Sequence, residues 1–123
     1  MAVTLLREDG AVVCERCVVA DSFLTRGKGL LGRRALDPGE GLLIKPCSSI
    51  HMFFMRFPID AVFLDRDLRV LKVVSHLKPW RMAAKRGAKV VLEFGAGEAA
   101  RTGLEPGVGL VLAEKESDEP AER

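Results

Sequence analysis

Alternation is the clearest signal along this chain. In Ala88-Lys89-Val90-Val91-Leu92-Glu93-Phe94 the apolar side chains Ala88, Val90, Leu92 and Phe94 fall on one side, with Lys89 and Glu93 on the other. That period of two predicts a half-buried strand. Residues 59–64 and 68–74 are apolar, β-branched-rich runs separated by Asp65-Arg66-Asp67, the pattern of a hairpin with a short polar turn. Residues 3–6 and 11–19 flank Glu8-Asp9-Gly10 in the same way. Residues 41–44, 49–55 and 108–113 read as further short strands, punctuated by Asp37-Pro38-Gly39, Phe57-Pro58 and Glu105-Pro106-Gly107. One stretch departs from this period. Residues 22–34 can open with Ser22 or Asp21 as N-cap and place Phe23, Gly27, Leu30 and Leu31 on one helical stripe. Its Gly27, Gly29 and Gly32 each cost about 1 kcal/mol against alanine, so the helix needs close packing on the sheet. Many short strands and one short helix near residues 22–34 predict a mainly β fold, a compact β-sandwich or barrel-like domain.

At 123 residues the chain has one domain's worth of sequence, enough to bury a core without staples. The expected division is a β-rich domain over residues 1–113 and an acidic, flexible tail over 114–123, where five acids outnumber two bases. No charge-free apolar run approaches a membrane-spanning length: Lys45 and Arg56 bracket the longest candidate. Only six residues precede Arg7-Glu8, too few for the apolar core of a signal peptide. Three cysteines are an odd number and few for a disulfide framework, so the expected compartment is a reducing cytoplasm. A monomer is expected.

Four ordered segments carry a family resemblance. Residues 20–33, Ala-Asp-Ser-Phe-Leu-Thr-Arg-Gly-Lys-Gly-Leu-Leu-Gly-Arg, resemble a helix signature in which Arg is followed by Gly-Leu-Met and another Arg. Gly39-Glu40-Gly41-Leu42-Leu43 resembles a Gly-Met-Leu strand. Phe54-Met55-Arg56-Phe57-Pro58-Ile59-Asp60 resembles a Trp-Met-Lys-Asn-Thr segment followed by Pro-Leu-Asp, and Val91-Leu92-Glu93 with Gly97 resembles a Val-Leu-Glu-x-x-x-Gly strand. Together, over about residues 11–112, these are similar to the domain of unknown function 192 family. The resemblance implies a compact β-rich domain with one helix and implies no activity. Two positions depart from the pattern: Phe57-Pro58 stands for the Asn-Thr pair, and Gly107-Val108 for a Gly-Asp near the C-terminal strand.

Three groups of residues could carry chemistry. Cys14, Cys17, Cys47 and His51 have the ligand types of a zinc tetrad. On a regular strand, however, Cys14 and Cys17 point to opposite faces, so separate core residues are expected, with no metal and no cofactor. His51, Arg56, Asp60 and Glu93, joined by Arg26 and Arg33, would form a polar pocket suited to a carboxylate or phosphate. Arg56, Arg26 and Arg33 would contact the anion, with His51 and Asp60 orienting. Finally, residues 78–89 hold Lys78, Arg81, Lys85, Arg86 and Lys89 with no acid, beside Trp80, which could stack on a base or sit in a headgroup layer. The expected role is a non-catalytic binding module for a small anionic ligand or a protein partner. Two alternatives stay open: a hydrolase-type enzyme using His51 and Asp60 as an acid–base pair, and nucleic-acid binding through the basic loop.

Overall fold

The turn Glu8-Asp9-Gly10 reverses the chain between β1 (Ala2–Arg7) and β2 (Val12–Ala20). Gly10 takes φ 93°, and an oxygen of Asp9 accepts the Ala11 amide. The second expected hairpin joins β5 (Ile59–Leu64) to β6 (Val70–Leu77). Its turn is held by Asp65, whose Oδ1 accepts the amides of Asp67 and Arg69 at 2.9 Å. These features belong to a computed structural model that describes residues 2–20 and 36–114. The helix expected at 22–34, with Arg26 and Arg33, and residues 115–123 lie outside the described residues. Glu114, expected in the tail, is the last residue of β9 (Leu110–Glu114) and pairs with Val3.

The remaining elements are β3 (Glu40–Ile44), β4 (Ser49–His51), β7 (Met82–Ala84), β8 (Val90–Gly95) and the short helix α1 (Glu98–Arg101). Seven strands form one mixed sheet in the order β6-β5-β8-β3-β2-β1-β9, in which β2 and β3 alone run parallel. The two edge strands meet at one end, where Arg69 bridges Gly109 and the Val70 amide donates to Val108 O at 2.8 Å. The sheet therefore curls without closing along its length. This bears out the mainly β expectation as an open, curled sheet rather than a complete barrel.

Curling creates an inner core from Val3, Leu5, Val13, Leu43, Val62, Leu92, Phe94 and Leu110, sealed by Ala99 of α1 and Leu104. A second core lies on the outer face, where Leu42, Ile44, Ile59, Ala61, Phe63 and Val91 pack beneath Ile50, Met52 and Met55. The small β4–β7 sheet belongs to this covering layer. Every residue of β5 is buried as a result, which explains an apolar run where a one-faced strand would alternate.

Candidate binding surface

The covering layer is a flap built from residues 45–58 and 75–89. Its floor is the β4–β7 ladder, with Ser49 opposite Ala84, Ile50 opposite Ala83 and His51 opposite Met82. Residues 49–55 were expected as one strand, but the strand stops at His51. Beyond it the Trp80 amide donates to Met52 O at 2.7 Å, the Met55 amide donates to the same oxygen at 3.2 Å, and the Met52 amide donates to Arg81 O at 2.7 Å. A carbonyl shared in this way turns the chain. Met52 and Met55 then point down into the outer core, and Phe53 and Phe54 point away from it.

The outward side chains form an apolar shelf. Phe54 is 71% exposed, Met82 67%, Trp80 57% and Phe53 36%. The Phe53 and Trp80 rings stack with centroids 5.8 Å apart, Phe54 tilts against Trp80 at 4.8 Å, and His51 lies 4.7 Å from Phe53. Phe54 and Trp80 have φ of 67° and 70°, the left-handed region that costs a non-glycine residue roughly 1–2 kcal/mol. Such strain persists where surrounding structure imposes it, and here it aims two large rings at solvent. The two flap segments carry Lys45, Arg56, Lys78, Arg81, Lys85, Arg86 and Lys89, and not one aspartate or glutamate. Gly87, at φ 90°, turns the chain after Lys85 and Arg86, and both of those side chains are exposed. At the foot of the flap, Pro46, Cys47, Ser48, Ser49, Ala88 and Lys89 line a shallow cavity of about 400 Å³.

The residues expected to form one polar pocket occupy different places. His51 is exposed on β4, where its Nδ1 accepts the Phe53 amide at 3.4 Å. Arg56 is exposed on the turn after Met55. Asp60 is fully buried: Oδ1 accepts the His76 amide at 2.9 Å, and Oδ2 accepts the amides of Gly97 at 3.0 Å and Ala99 at 2.9 Å. This carboxylate caps the first turn of α1 and ties it to β6, and the imidazole nearest to it is His76 at 4.0 Å. Glu93 lies on the opposite face of the sheet, 7% exposed, with no hydrogen-bond or ion-pair partner among the described residues. Burial pushes its carboxyl up to about 7.

The cysteines correct another expectation. Leu5 pairs with Cys14 and Val3 with Cys17, so β2 spends three residues where β1 spends two. This bulge puts both thiols on the inner face, where alternation alone would separate them. They interact: the hydrogen bond between them lowers Cys14 and, together with burial, pushes Cys17 far up. Cys47 lies on the other side of the sheet, against the outer core. Among the described residues no three Cys, His, Asp or Glu side chains gather as a metal site.

The family model for DUF192, described as an uncharacterised ACR, matches residues 4–112. The chain belongs to the DUF192 family. A UPF0127 protein of Pyrococcus horikoshii is 40% identical over 79 residues, covering 61% of this chain and 68% of the relative. One from Pyrococcus abyssi is 39% identical over 82 residues, covering 61% and 67%. A Novosphingobium aromaticivorans protein of unknown function, solved by crystallography, superposes with a TM-score of 0.76 at 28% identity over 90% of this chain and 84% of its own. No helix among the described residues of this DUF192 chain is long and apolar enough to cross a membrane.

In this DUF192 chain the sequence reading picked out Trp80 and the five bases of residues 78–89 but missed Phe53, Phe54 and Met82. A signal for them existed. Met52-Phe53-Phe54-Met55 puts four large apolar residues in a row next to a proline-bounded turn, more than one face of a short strand can bury. The residues read as a loop also contain β7, which pairs with β4 and gives the shelf a rigid floor.

Proposed function

We propose that this chain is a non-catalytic binding module whose binding surface is the flap, and that its partner is an anionic surface rather than a small ligand. One observation carries the reading: four exposed apolar side chains, two of them held in strained backbone, stand on segments that carry seven bases and no acid. Exposed apolar clusters of this kind mark interaction sites, and an excess of bases on the same segments favours negative partners. His51, Arg56, Trp80, Arg81, Lys85, Arg86 and Lys89 are all parts of the flap. Asp60 instead serves the scaffold, because three backbone amides occupy its oxygens. That weighs against pairing it with His51 as acid and base. The cytoplasm remains the proposed compartment.

The chain has one tryptophan and no tyrosine, so its ultraviolet emission reports on this surface alone. Titrating it with polyglutamate, oligothymidylate and anionic vesicles tests the reading. A saturable change in Trp80 emission with at least one of them, weakened by Lys85→Glu with Arg86→Glu, is the expected result. Emission indifferent to all three contradicts it.

A further inference from the structure

We infer that the flap docks on anionic phospholipid, seating Phe54, Trp80 and Met82 at the level of the headgroups. This rests on the binding-module reading and narrows it to one partner. Three observations separate a lipid surface from other polyanions.

The first is how the rings are used. Single-stranded nucleic acid is held by aromatic faces on which successive bases stack, within a cationic groove. Here Phe53 and Trp80 stack on each other and Phe54 leans on Trp80, so the rings pack together as a single knob rather than standing apart as separate platforms. The knob they make is an exposed apolar projection, Phe54 being 71% exposed, which suits hydrocarbon. The second is chemical composition. Tryptophan, phenylalanine and methionine amid lysine and arginine make up an interfacial anchor, the aromatic body entering the boundary layer while long cationic side chains reach the phosphates. The third is the charge pattern. Flap segments with seven bases and no acid fit a continuous negative plane, and the cytoplasmic leaflet of a membrane is one. A folded protein partner presents both signs, and the flap has no acid to match a partner's bases.

The geometry adds a mechanical point. Trp80 N–H and Met55 N–H both bond Met52 O, so the knob is fixed by backbone before any partner arrives. Little ordering remains to be done on binding.

Sedimentation with phosphatidylcholine vesicles, with and without phosphatidylglycerol, is the test. The wild-type chain is expected to pellet with the anionic vesicles, weakly with the neutral ones, and less as salt rises. Phe54→Ser is expected to weaken binding about tenfold or more. Lys85→Glu is expected to weaken it about fivefold or more, since each base near such a surface contributes about a factor of five. These side chains are exposed, and circular dichroism checks that each variant is folded; Met82→Ser supplies a second apolar test should Phe54→Ser misfold. Failure to pellet with anionic vesicles overturns the lipid inference, as does binding that Phe54→Ser and Met82→Ser leave unchanged. If vesicles fail while polyglutamate or oligothymidylate still alters Trp80 emission, the lipid inference falls and the binding-module reading stands. If all three fail, both fall.

Discussion

Asp60 and Glu93 stand on adjoining rungs of the β5–β8 ladder and face opposite sides of the sheet. Asp60 pairs with Phe94 and shares its inward face, while Glu93 pairs with Ala61 and faces the outer core. The two carboxyls therefore belong to different environments. One is saturated by backbone donors, and the other is buried without a partner among the described residues. Their separation splits the molecule into a scaffold on one side and the flap on the other.

Asp60 holds α1 and the His76 end of β6 against β5, and the loss of charge-assisted bonds to three amides is costly. Each such bond is worth about 1.5–3 kcal/mol. Asp60→Ala is expected to lower unfolding free energy by at least about 3 kcal/mol, seen as a reduced urea midpoint at unchanged slope. A loss below about 1 kcal/mol would show that the three bonds are not structural.

Glu93 predicts a pH dependence with a definite sign. Its folded value, about 7, lies above the ordinary 4.5, so between these the folded state keeps a proton that the unfolded state has released. Stability therefore falls as pH rises from 4.5 towards 7, by about 1.4 kcal/mol per unit, and levels off above it. Glu93→Gln is expected to flatten that slope and to stabilise the protein at pH 8. Thermal melts of both proteins across this range decide it; parallel curves would contradict the assignment.

Much of this scaffold is legible in the sequence, and the reason is local. The turns Glu8-Asp9-Gly10 and Asp65-Arg66-Asp67 hold their own hydrogen bonds, so both hairpins follow from adjacent residues. The parallel pairing of β2 with β3 depends on segments far apart, and no local pattern announces it. The bulges of β2 likewise arise from its register with β1, so counting from Cys14 to Cys17 misplaces one thiol. The cationic half of the flap is visible in composition. Its apolar half is hidden because Met52-Phe53-Phe54-Met55 reads as core until Trp80 N–H takes Met52 O and turns two of the four outward.

Gly41 marks another long-range constraint. A Cβ built there would sit 2.8 Å from Cys14 Sγ and 3.1 Å from Glu93 O. Gly41→Ala is expected to cost about 1–3 kcal/mol through overpacking. Adding Cys14→Ala removes the nearer obstacle, so the double variant should be more stable than the sum of the single losses implies. Strict additivity in denaturation would contradict the contact.

Phe54 tests whether the strain at the knob serves binding rather than folding. Phe54→Gly relieves a left-handed backbone worth roughly 1–2 kcal/mol and adds a glycine entropy cost of roughly 0.5–1 kcal/mol. The melting temperature should therefore hold or rise, whereas truncating a buried phenylalanine costs about 3–5 kcal/mol. A loss of that size would mean the ring is a core residue.

The most direct measurement of the account is the depth of Trp80 in a bilayer, read by quenching from phosphatidylcholine labelled with bromine or nitroxide at defined acyl positions in anionic vesicles. The account predicts quenching that is strongest from labels nearest the headgroups and that disappears in high salt. Emission untouched by labels at every depth, with the protein sedimenting on the same vesicles, would contradict it.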